Sequence, residues 1–165
     1  MKRIADFTRA EAVEELEHYD IEGPFLYLID IIPLIEMIWA DGKAQESEIE
    51  ILDKYLDKHV KWVNAQADFQ VLTLKEAKTF AARFLKKRPS PALLKTLRLL
   101  LSRIHNTSQN EEVKSRFKHS LLAACIDIAA SSVTEYPYDY DGRFNPAEKK
   151  CFFEIVDSLE LKKQK

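Results

Sequence analysis

At 165 residues the chain has the length of one domain, large enough to bury a core without disulfide or metal staples. A hydrophobic share of 46% beside 32% charged residues is the composition of a folded protein that faces water, and a net charge of -2 argues against a nucleic-acid binder, which needs a basic patch. The two cysteines, Cys125 and Cys151, lie in apolar helical patterns and read as buried free thiols of a reducing, cytoplasmic compartment.

The N-terminal MKRIADFTRAEAVEELE turns acidic before any apolar run, so it does not read as a secretory signal. Thr8 followed by Glu11 has the form of a capping box and predicts a helix over 8–18. The apolar run FLYLIDIIPLIEMIWA predicts a second helix over 25–40, kinked or restarted at Pro33, which has no N–H to give. Asp30, Pro33 and Glu36 interrupt this run, leaving it too short and too charged to insert in a membrane. A third helix over 45–65 carries the stripe Ile49, Leu52, Leu56, Val60 and Val63, with Glu50, Asp53, Lys54, Asp57, Lys58 and Lys61 on the other side. Thr73 with Glu76 opens a helix over 73–87, whose last turn holds the basic run Lys86, Lys87 and Arg88. Cations there suit the helix dipole better than they indicate a phosphate or lipid site. Ser90 and Pro91 start a helix over 91–105. Spacings of three and four continue over 110–132, and Asn145, Pro146 and Glu148 open a last helix over 146–162. Alternating strand patterns are missing, so the expected fold is all-α: a compact bundle of about seven helices in a single domain over 1–165.

Two of the three glycines follow an aspartate, and the segments around them resemble one another. DGKAQESE (Asp41 to Glu48) and DGRFNPAE (Asp141 to Glu148) share Asp, Gly, a basic residue and a terminal Glu. Upstream, IEMIWA aligns with IDIAAS, placing Glu36 opposite Asp127. Downstream, Ile51, Leu52, Tyr55, Leu56 and Asp57 fall opposite Cys151, Phe152, Ile155, Val156 and Asp157. The pattern predicts two related helix–loop–helix units, about 25–65 and 110–160, the second enlarged around Tyr136. Paired units of this kind face each other and bring their loops into comparable environments.

An apolar helix running into Ala-Asp-Gly, with a Glu opening the next helix, resembles the signature of the tellurite-resistance TerB family. WADGKAQESE is the better match and YDGRFNPAE the second; with their helices they cover over half the chain. The resemblance implies an all-helical, cytoplasmic, non-enzymatic protein of tellurite or other stress responses, whose acidic residues engage metal ions or other proteins of a stress-response system. Pro33, Gln45, Asn145 and the tyrosine-rich insertion depart from the family pattern. No His-Pro-Asp tripeptide is present, so the J-domain chaperone activity found beside related domains is not encoded here.

Two readings of the loops remain open. With Gly142 as the sixth position of an EF-hand loop, Pro137 falls first, Asp139 third, Asp141 fifth, Arg143 seventh, Asn145 ninth and Glu148 twelfth. All but the first suit Ca2+ or another divalent cation, and the missing first carboxylate limits binding to about 10⁻⁴ to 10⁻³ M. Asp41 and Glu48 make a poorer first-loop set, and Glu36 and Asp127, like Asp30, are carboxylates in apolar stretches that need a partner or a polar cleft. Alternatively the loops only cap helices and turn the chain, and Tyr136, Tyr138 and Tyr140 form a protein-docking surface. Motifs of catalysis are missing: the chain has no HExxH, CxxC, P-loop or GxSxG. Its four histidines fall at no ligand-like spacing, His59 and His105 reading as surface or helix-end residues. A metal-dependent hydrolase is the remaining alternative, without a motif to support it.

Overall fold

The computed structural model describes residues 3–40, 42–107, 111–131 and 146–160. Among them are seven α-helices and no strand: α1 Arg9–Glu17, α2 Ile32–Trp39, α3 Glu46–Ala67, α4 Leu74–Leu85, α5 Pro91–Asn106, α6 Glu111–Ser131 and α7 Pro146–Glu160. The all-α class is therefore as expected. Helix starts follow local chemistry. Thr8 Oγ1 accepts from the Glu11 N–H at 3.1 Å while Glu11 Oε1 accepts from the Thr8 N–H at 2.8 Å. Thr73 and Glu76 repeat the exchange at 3.1 and 2.9 Å, and Ser90 Oγ accepts from the Leu93 N–H at 3.3 Å ahead of a proline-opened α5. Each pair satisfies donors that the first turn leaves free.

The predicted helix over 25–40 is two elements: a 3₁₀ segment, Gly23–Ile31, and then α2. Pro33 explains the change, because in a continuous α-helix its ring would meet the carbonyl of Ile29 and its missing N–H would leave that carbonyl unbonded. Residues three apart eclipse in a 3₁₀ helix, so the segment has three ridges. Phe25, Leu28 and Ile31 form the inner one: Leu28 and Ile31 are fully buried, and Phe25 stacks on Phe80 of α4 at 5.9 Å. The other two ridges, Gly23–Leu26–Ile29 and Tyr27–Asp30, both line a cleft.

Helix α2 is apolar on nearly every side, which only a central position tolerates. Ile32, Leu34, Ile35, Met37 and Ile38 are all fully buried, and the helix packs against α3, α5, α6 and α7. Helix α2 thus lies against α6 and α7, and α3 against α6. At the far end of α3 the chain turns through Asp68, whose φ of 63° is left-handed. Asn64 secures that turn, its Oδ1 accepting from the N–H groups of Val71 and Leu72 at 2.7 and 3.0 Å and its Nδ2 donating to the Leu72 carbonyl at 2.9 Å. Asn64→Ala strands these backbone groups, and an expected loss of roughly 1–3 kcal/mol is measurable by urea unfolding; a loss within error of zero would show that the turn holds without it.

Candidate ligand-binding cleft

The 3₁₀ segment, α3, α5 and α6 enclose a cleft of about 1070 Å³. Asp30 sits in it, only 7% exposed. A carboxylate placed so deeply requires a hydrogen-bonding partner, and His105 supplies it, its Nε2 2.8 Å from Asp30 Oδ1; His59 Nε2 stands beside the other oxygen, 3.7 Å from Oδ2 and beyond hydrogen-bond distance. The His59 nitrogen also meets the Tyr27 carbonyl at 2.6 Å, tying the middle of α3 to the 3₁₀ segment. His105 is held from its face as well, its ring parallel to Phe117 of α6 with centroids 3.6 Å apart.

Along α3, Tyr55, His59 and Trp62 follow at spacings of four and three, so they share one helix face. Their rings form a near-parallel ladder, with centroids 5.6 Å and then 6.3 Å apart. Arg116 of α6 reaches over the end of the ladder, its guanidinium carbon 5.4 Å from the Trp62 ring. Burial pushes the Tyr55 hydroxyl well above its usual value, and the nearby Asp30 carboxylate pushes it further; the phenol is a fixed neutral group of the wall.

The carboxylates singled out in the sequence go to different places. Asp127 is on the exposed edge of α6 and lines the cleft. Glu36 instead turns toward α5 and α7. Its Oε2 accepts from Arg98 Nη1 at 2.6 Å, and Arg98, itself 3% exposed, also donates to Ser158 Oγ at 2.9 Å and lies 4.0 Å from Glu154. Burial drives the Glu36 carboxyl up to about 7, the Arg98 guanidinium pulling it down and Glu154 pushing it up. Glu48 and Glu148, opposite each other in the repeat, match in burial at 0% and 1% exposure. Glu48 Oε1 accepts from the Gln45 N–H at 3.0 Å, a capping role at the start of α3, and Glu148 is the third residue of α7. Asp41, Asp139, Asp141, Asn145, Tyr136, Tyr138 and Tyr140 lie outside the described residues. Among those described, no three His, Cys, Asp or Glu side chains are grouped to hold a metal ion, and no helix is long and apolar enough to cross a membrane.

No protein family, curated protein or solved structure matches the chain.

The histidines need correcting. The sequence places His59 and His105 at the surface or at helix ends; His105 is indeed in the last turn of α5, but it turns inward to bond Asp30, and His59 lies in the middle of α3, half-buried and bonded to the Tyr27 carbonyl. Two signals could have found them. Asp30 in an apolar run demands a donor, and Tyr55, His59 and Trp62 form a second stripe on α3 beside the core stripe of Leu52, Leu56, Val60 and Val63. Arg98 was equally readable, at the inward spacing of four and three between Leu94 and Leu101. The thiols are free, Cys125 buried and Cys151 partly so. Burial raises the first well above its usual value and, with Glu36 adding to it, the second to about 12, so neither is a ready nucleophile.

Proposed function

We propose that this chain is a non-enzymatic binding domain of the TerB-like kind, serving a stress response by holding a small ligand in the cleft between the 3₁₀ segment, α3, α5 and α6. One observation carries the reading: a cleft of about 1070 Å³, walled by stacked rings, converges on a buried carboxylate bonded by one histidine and flanked by a second. Mostly apolar walls with a few placed polar groups are the usual make-up of a small-molecule site. The two Asp-Gly loops support the family part of the proposal, and the cap at Glu48 favours a structural role for the first of them.

A dye that brightens in apolar surroundings tests the site. The wild-type protein should take up 8-anilinonaphthalene-1-sulfonate or its uncharged analogue N-phenyl-1-naphthylamine saturably, one per chain. Ala123→Phe, at an exposed lining position of α6, fills the cleft and should lower that affinity by about tenfold or more with little change in Tm, since surface substitutions rarely move stability. Uptake of neither dye, or equal uptake by the filled variant, would overturn the cleft as the binding site.

A further inference from the structure

On the footing that the cleft is the binding site, we infer that its ligand is an aromatic anion: a planar ring system carrying a sulfonate, carboxylate or phosphate group. Charge is the first reason. Arg9, Lys54, Lys58 and Arg116 line the cleft, against the carboxylates of Asp30 and Asp127. Four cations against two carboxylates leave the lining with an excess of positive charge. The four cations are all exposed, and among the described residues none is within ion-pairing distance of a carboxylate. A cleft with low-dielectric walls and an excess of one sign concentrates ligands of the other.

Ring geometry is the second reason. Tyr55, His59 and Trp62 all line the cleft, their rings within 15° and 21° of parallel, and the stacked His105–Phe117 pair adds two more rings to the lining. A lining this rich in aromatic rings favours an aromatic guest, through edge-to-face or offset contacts. The cations flank the same ladder. Lys54 and Lys58 each precede one of its rings by a single residue, and Arg116 covers its Trp62 end. A ligand stacked along the ladder therefore has its anionic group within reach of lysine and arginine donors, where charge-assisted hydrogen bonds are strongest. A divalent cation would meet the same four positive charges as repulsion.

Three probes separate the elements of this assignment: 8-anilinonaphthalene-1-sulfonate has both ring and charge, N-phenyl-1-naphthylamine has the rings alone, and dodecanoate has the charge alone. The sulfonate dye should bind at least about tenfold more tightly than the neutral dye and resist displacement by dodecanoate, and its affinity should fall as salt rises. Lys58→Glu with Arg116→Glu should weaken the sulfonate dye by about tenfold or more and leave the neutral dye unchanged. Lys86→Glu, at an exposed residue just past α4 that does not line the cleft, serves as the charge control. Equal binding of the two dyes, unaffected by charge reversal and by salt, would overturn the anionic ligand and leave the cleft as a binding site. Displacement of the dye by equimolar dodecanoate would overturn the aromatic requirement. Binding of neither dye would overturn the cleft itself.

Discussion

Replacing Arg98 by methionine will destabilise the protein by about 3–5 kcal/mol at pH 8, the cost of leaving a buried charge without its partner. The guanidinium is 3% exposed and bonds Glu36 at 2.6 Å and Ser158 at 2.9 Å, so methionine fills the space and leaves the carboxylate of Glu36 alone inside the bundle. The sign of the pH dependence follows from the native ionisation. Glu36 has its pKa raised by burial to about 7 from 4.5. The native state therefore holds a proton that the unfolded chain has released, and the associated stability is complete below the unfolded pKa and lost as pH rises through the folded one. Arg98 is the cause that opposes this rise. Without it the folded pKa moves higher, and the fall in stability continues beyond pH 7. Wild type and Arg98→Met should accordingly differ least near pH 5, where Glu36 is neutral in both, and most near pH 8. Adding Glu36→Leu to the methionine variant should recover most of the loss, because an apolar pair replaces an unpaired ion. Parallel Tm profiles from pH 5 to 8, or no recovery in the double variant, would refute the account.

Helix positions were legible because they are written locally. A capping hydroxyl, a glutamate three residues on and a proline at the first turn set the starts of α1, α4 and α5 within a residue, and the core stripe of α3 followed from spacing. The cleft was not legible in this way. Its floor depends on the 3₁₀ segment, and the switch from α to 3₁₀ at Pro33 changes which residues share a face: an α-helix separates Tyr27 from Asp30 by about 300° of rotation, whereas a 3₁₀ helix eclipses them. Its charge pairs are long-range, Asp30 with His105 and Glu36 with Arg98, and no local pattern records a partner more than sixty residues away. What the sequence does record is the need, since a carboxylate in an apolar run has to be bonded somewhere.

Ile35→Ala will cost about 2–5 kcal/mol, while Ile126→Ala will cost less than about 1 kcal/mol, although the repeat aligns the two residues. Both are isoleucines one residue before an acidic side chain, in helices that run toward an Asp-Gly loop. Ile35 is 0% exposed on a helix packed against α3, α5, α6 and α7, and its truncation leaves a cavity that the surrounding side chains cannot fill without moving. Ile126 is 38% exposed, so water occupies the space its side chain leaves. The neighbouring carboxylates diverge in the same sense: Glu36 is bound to Arg98, and Asp127 is on an open edge of the cleft. The outgoing glutamates do not diverge, Glu48 and Glu148 being buried alike. Sequence similarity thus carried over the outgoing helix starts, while the incoming helices took different places, α2 at the centre and α6 as a wall of the cleft. Urea unfolding of the two variants measures the difference directly. Equal losses would mean that the units are equivalent in environment as well as in sequence, and that α6 is as enclosed as α2. A loss confined to Ile35 would assign the centre of the fold to the first unit and leave the exposed edge of the second to ligand binding.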